Sequence, residues 1–459
     1  MKKSLFALSL FAGLTTLAAT ITDITVSPRW PWQDKVDIDY TLDSDVYGGF
    51  PVTVALYDGE TPLTVAAASL PGNGEVRLPG RRHQVFDFAL SGLESRPKAL
   101  RTVITTSANP VRFMIIDLTK RPGDANQREY IYAGDARLES YVDYPIEYRV
   151  SDDEAEGMAV THIDYTDVWF GVTNDNQYAR SKMVFRYVPP QAGVKTGDGN
   201  VETVFNRVSL TKAYWIAVFP MTQGQYSWLT WDVANRRHRD PNWGMATINE
   251  TEQQYPMPGG MRDYVGATYT DDPYNDYPAG MRGPVGDPVN PVGWPTYGHD
   301  VCPTNLLALY RQKTGLRLDY PTEAQWEVAC RAGTTGYYYD KESTAQNTNL
   351  LQRIANKIDN NVAVGRYLPN TWGLYDMLGY RGEVMLDRYT SDRISGVDPV
   401  GDRDPAKSNY TYARVVRGTS SHAEPHAQAT QVGSRIADAA AEWFSSLLTT
   451  MRWTVELDD

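Results

Sequence analysis

The sequence predicts an α+β protein whose first third is all β and whose larger remainder joins short helices by long loops. Three observations predict it. Strand-type alternation of apolar and polar residues recurs from Ile21 to about Val150. Helix start signals are confined to the region beyond about Lys182. Gly and Pro number 36 and 28 in 459 residues, which excludes long helical bundles and marks a turn-rich chain.

Charge and composition narrow the function classes. Lys and Arg total 44 against 56 Asp and Glu, a net charge of −12, and phosphate-neutralising nucleic-acid binders have the opposite balance. With 42% hydrophobic and 22% charged residues the chain is of globular, not disordered, composition.

Met1-Lys2-Lys3, an apolar run from Leu5 to Leu17, and the small residues Ala18 and Ala19 have the order of a secretory signal peptide over 1–19. The run is too short to span a bilayer, no lipobox cysteine follows it, and no membrane span is expected further on. The expected location is periplasmic or secreted. Val36, Ile38, Tyr40 and Leu42 then alternate with Lys35, Asp37, Asp39 and Thr41, and Val52, Val54 and Leu56 repeat the pattern before the Asp58-Gly59 turn. Further strands are expected at 101–105, 111–118 and 146–150, so residues 20–150 read as a β-sandwich. The acidic stretch from Ser151 to Gly157 opens a linker over 151–182.

In the remainder, 183–459, Thr222 with Gln225 and Thr322 with Gln325 are capping-box pairs at helix starts. Leu306, Leu309 and Tyr310 carry helical spacing up to Gly315, a C-cap residue behind Lys313. Cys302 and Cys330 are the two cysteines. In an oxidising compartment an even pair is most simply a structural disulfide, with a free buried pair as the competitor.

The strings Phe219-Pro220-Met221-Thr222-Gln223-Gly224-Gln225-Tyr226, Asn290-Pro291-Val292-Gly293-Trp294 and Lys313-Thr314-Gly315 stand in order. They lead to Tyr320-Pro321-Thr322-Glu323-Ala324-Gln325-Trp326-Glu327-Val328-Ala329-Cys330-Arg331-Ala332-Gly333. Leu368-Pro369-Asn370-Thr371-Trp372-Gly373-Leu374-Tyr375-Asp376-Met377 and Arg414-Val415-Val416-Arg417-Gly418 follow. This set resembles the formylglycine-generating enzyme family, or sulfatase-modifying factor domains, over roughly Met183 to Leu457. The resemblance implies a C-type-lectin-like α+β fold, with the N-terminal β-sandwich that similar bacterial proteins often carry. Catalytic relatives oxidise a cysteine of a sulfatase peptide to formylglycine with molecular oxygen and a copper ion held by two cysteines.

This chain departs from that pattern in three places. The family's copper thiolates lie downstream of the Arg-Gly string, and no cysteine follows Arg417-Gly418 here; copper(I) needs such soft ligands, so copper is not expected. Cys302 and Cys330 instead flank the Pro-Thr-Glu motif and are read as structural. Where relatives continue Gly-Asn-Val-Trp-Glu-Trp around a calcium ion, this chain has Gly379-Tyr380-Arg381-Gly382-Glu383-Val384. Glu383 is the one oxygen ligand retained, against six to eight for calcium, so calcium stays open and no other cofactor is expected. His422 and His426 flank Glu424, but Pro425 opposes the helix that would align them for a metal.

The resulting expectation is an exported pseudoenzyme-like binding module for a protein or glycan ligand. Tyr380, His422, His426 and Trp443 are its candidate ligand-facing residues, and Arg435, Arg452 and Trp453 are the anchors of the C-terminal segment. The segment from Gly418 to Thr450 has lost its family signature. It reads as a diversified binding segment or as the product of decay after catalysis was lost. An active oxidase or other enzyme with a rebuilt pocket, and a periplasmic or surface scaffold, are the alternatives.

Overall fold

The structure is a computed structural model. It describes residues 19–29, 31, 34–46, 48–124, 126–150, 157–197, 206–232, 237–238, 254–256, 306–340, 350, 353–355, 362–379, 381–389, 394–400, 414–418, 435–438 and 449–457. These fall into two compact units that divide at Val111/Arg112.

In the first unit, Thr20–Pro28, Lys35–Asp43 and Gly80–Asp87 form one antiparallel sheet. Phe50–Asp58 is the centre of a second, flanked by Leu100–Thr106, Thr61–Pro62 and Val76–Arg77. Ile38, Tyr40 and Leu42 from the first sheet and Val52, Val54 and Leu56 from the second share one buried apolar cluster with Phe50 and Phe86. The period-two pattern of the sequence thus maps directly onto the buried faces.

The second unit is built on a five-stranded sheet. Its order is Thr454–Glu456, Tyr214–Ala217, Lys182–Val188, Val111–Asp117, Arg128–Tyr132. Tyr214–Ala217 is buried at every position and Lys182–Val188 at every position after the first, so these strands are covered on both faces and read as apolar runs, interrupted in the second by the buried Arg186. A hairpin of Glu139–Arg149 and Met158–Val168 lies in the same unit. A second mixed sheet has the order Arg435–Asp438, Arg414–Arg417, Gly382–Arg388, Thr449–Thr450, the last pair parallel. Among the described residues no helix is long and apolar enough to cross a membrane.

The domain boundary expected at 150 is corrected. Arg112–Asp117 and both hairpin strands belong to the second unit, where Phe113, Ile115, Ile146, Ile163 and Val168 enter the same core as Trp326 and Met385. Alternation identifies a strand but does not say which sheet it joins. The expected linker 151–182 contains Met158–Val168 and the start of Lys182–Val188. The acidic residues 151–156 lie outside the described residues; Arg149 and Met158 on either side of them pair with each other.

Candidate functional site

The second unit is organised around the helix Glu323–Arg331, whose residues are all buried. Its start is set locally. Thr322 accepts from the Gln325 N–H and the Gln325 side chain accepts from the Thr322 N–H, closing the capping box that the sequence announces. Its end is set by the Pro-Asn motif: Asn370 Nδ2 donates to the carbonyls of Ala329 (2.7 Å) and Cys330 (3.1 Å), while its Oδ1 accepts from the N–H groups of Trp372 and Leu374. One side chain therefore satisfies two free helix carbonyls and folds the following turn.

The polar face of this helix meets a buried ionic lattice. Arg417 donates to Glu323 and Glu327, each at 2.7 Å, and Arg331 pairs with Glu327 at 2.8 Å. Burial alone would push the Glu327 carboxyl up; Arg417 and Arg331 outweigh it and hold the group below its ordinary value. The Arg417 guanidinium also lies 5.2 Å from the centre of the Trp326 ring. Trp326 Nε1 donates to Glu383 Oε2 at 2.6 Å, and Glu383 in turn pairs with Arg452.

Several sequence expectations resolve here. Glu383 does not point to a cation site, because both of its oxygens are taken by Arg452 and Trp326. That corrects its reading as a surviving calcium ligand. Arg452 is buried and also donates to the carbonyls of Ala217, Val218 and Tyr375. Trp453 is buried between Tyr310 and Tyr320, ring centres 5.3 and 5.2 Å away. Cys330 is a free thiol with no solvent exposure, which corrects the disulfide expectation, and burial pushes its pKa up. Cys302, Tyr380, His422, His426 and Trp443 lie outside the described residues, as does the side chain of Arg435, whose backbone runs in the strand Arg435–Asp438.

The chain has two cysteines, and Cys330 sits protonated inside the core. Among the described residues no group of three or more His, Cys, Asp or Glu side chains is placed to hold a metal.

A separate concavity of about 750 Å3 opens elsewhere on the unit. Sequence reasoning missed it, because its walls come from segments far apart in the chain: 136–139, 169–174, and 353 with 365–375. Arg137 on its wall is neutralised by Asp135 and Glu129 at 2.8 and 2.7 Å. Arg353 and Arg366 are exposed, and among the described residues neither guanidinium has a hydrogen-bond or ion-pair partner. Arg366 follows Gly365, whose N–H donates to Asp376 Oδ2 at 2.7 Å. Gly365 has φ +76°, and a Cβ there would sit 2.8 Å from Thr173 Cγ2 and 2.9 Å from Phe219 Cε1.

A domain model described as sulfatase-modifying factor enzyme 1-like matches residues 189–444. The serine/threonine-protein kinase pkn1 of Chlamydia pneumoniae is 34% identical over 113 residues, 24% of this chain and 16% of that protein. The chain thus matches less than a fifth of that relative's length. Among solved structures, Treponema denticola variable protein 1 aligns with TM-score 0.40 and 16% identity, over 60% of this chain and 95% of that one. PvdO from Pseudomonas aeruginosa aligns with TM-score 0.35 and 19% identity, over 60% and 94%.

Proposed function

Because the chain belongs to the sulfatase-modifying factor enzyme 1-like family, whose model covers more than half of it, we propose that it is a binding member of that family without copper oxidase chemistry. The single observation that carries this reading is the cysteine inventory. Cysteine oxidation by the family's route needs two thiolates on copper, and no cysteine follows Arg417-Gly418, while Cys330 is enclosed by the core and kept protonated. The framework is kept by the helix, its caps and its ionic lattice, and the Gly- and Pro-rich segments that the sequence reads as long loops would serve recognition. A C-type-lectin-like arrangement of those loops, export directed by residues 1–19, and ligand contacts in the segment from Gly418 to Thr450 complete the proposal.

The test is direct. Purified protein, reconstituted with copper(I) under reducing conditions, is expected to retain no stoichiometric copper by elemental analysis. It is also expected to leave a cysteine-containing sulfatase-type peptide unchanged by mass. Stoichiometric copper, or the mass loss of cysteine converted to formylglycine, would overturn the reading.

A further inference from the structure

We propose that the concavity bearing Arg353 and Arg366 is a binding site for a small organic anion, in which a carboxylate or phosphate is carried on a ring-shaped body. Its volume of about 750 Å3 is that of a small-molecule site. The two exposed arginines of the lining, whose guanidiniums are unpartnered among the described residues, are the feature that calls for an anion. An arginine fork matches carboxylate and phosphate oxygens in two-pronged geometry. The contrast with Arg137, which also lines the cavity, matters, because that guanidinium is already held by Asp135 and Glu129 and serves the frame. Glu139 is the one carboxylate among the lining residues, against the three arginines Arg137, Arg353 and Arg366, so in a chain of net charge −12 the cavity still carries a local excess of positive charge.

The rest of the lining supplies a seat for the body of the ligand. Phe170 and Tyr367, both half-buried, are aromatic residues of the lining. Flat aromatic faces take up rings of either sugar or aromatic type. Thr173 and Asn174 line the same space and are exposed, adding a hydroxyl and an amide for ring substituents. The floor is firm: Trp169 is packed edge-on against Phe113 and Tyr178, and the Gly365 N–H is fixed by Asp376. This site is independent of the cysteine inventory, so it can fail or succeed whether or not the chain oxidises cysteine.

Titration calorimetry of the full chain with glucuronate, glucose 6-phosphate and benzoate tests the site, with glucose and benzyl alcohol as uncharged matches. At least one anion is expected to bind ten times more tightly than its uncharged match, and the one that does identifies carboxylate or phosphate, sugar or aromatic ring. Arg353→Gln and Arg366→Gln are each expected to weaken that binding about tenfold without moving the melting temperature, since both side chains are at the surface. Binding that is equal for charged and uncharged partners, absent for all three anions, or unchanged in the double variant would refute the proposal.

Discussion

Glu383 and Arg452, 69 positions apart, meet in a two-pronged pair with Nη2 to Oε1 at 2.7 Å and Nε to Oε2 at 2.9 Å, both side chains closed off from solvent. The remaining donors of Arg452 reach the carbonyls of Ala217, Val218 and Tyr375. A single guanidinium thus joins the strand Gly382–Arg388, the end of Tyr214–Ala217 and the Gly-Leu-Tyr-Asp turn. Buried ion pairs add little over a well-packed apolar substitute, but removing one partner strands a charge.

Glu383→Gln is therefore expected to cost about 3–5 kcal/mol of unfolding free energy in urea titrations. The double variant with Arg452→Met should recover part of that loss, because no unpaired cation is left behind. A single-variant loss below about 1 kcal/mol would show that the pair is solvated in solution.

Asp376 has a pH signature. Burial pushes its carboxyl up to about 6, partly offset by the bond from the Gly365 N–H. The native state then binds this proton more tightly than the unfolded chain, so the group penalises folding above about pH 6 and the penalty disappears as pH falls towards 4. Asp376→Asn keeps an acceptor for Gly365 and suits the left-handed φ of 56°. The variant should melt at or above the parent temperature at pH 7.5, with the difference shrinking towards pH 4.5; a difference that ignores pH would contradict the assignment.

Glu327 has the opposite sign. Its carboxyl is held below its ordinary value, so its contribution is complete above the unfolded glutamate range and is lost as pH falls through the lowered folded value. Arg417→Met should weaken that acid sensitivity, Arg331 alone still pairing with Glu327, and destabilise the protein by about 3–5 kcal/mol at neutral pH. An acid-unfolding midpoint equal to that of the parent would argue against it.

Gly365→Ala should cost about 1–3 kcal/mol, since it combines positive φ with contacts below 3 Å to Thr173 and Phe219. It should also weaken anion binding by displacing Arg366. Unchanged melting and unchanged binding together would mean that the turn relaxes freely.

Thiol chemistry checks the core. A thiol reagent should leave Cys330 unmodified in the native protein and find two thiols after unfolding without reductant, as a free buried thiol requires. Finding none after unfolding would restore the disulfide.

What the sequence discloses is what is local. The capping boxes at Thr222 and Thr322, and the helix end at Gly315 with its N–H on Arg311, depend on residues three or four apart and appear where the pattern places them. The alternation at Ile38, Tyr40 and Leu42 is equally local and fixes the buried face of the first sheet. Partnerships at long range were not legible. Arg417 finds Glu323 across 94 positions, and charge alone gives no preference for that pair over any exposed one. The strand ending at Arg149 reads in the sequence as part of the first domain and its partner Met158–Val168 as linker, because a strand's pattern does not name its sheet. The cavity was hidden for the same reason, its arginines carrying no motif of their own.

The edge strand Thr454–Glu456 pairs with Tyr214–Ala217, and Arg452 and Trp453 just before it enter the core. During synthesis, therefore, more than two hundred residues of this unit must leave the ribosome before its sheet can close. A nascent chain stopped short of Met451 exposes an unpaired strand edge, leaves Glu383 without Arg452 and uncovers Tyr310 and Tyr320, a natural target for holding factors and proteases. Late truncations should accordingly be cleared as unfinished protein, however little of the sequence they lack.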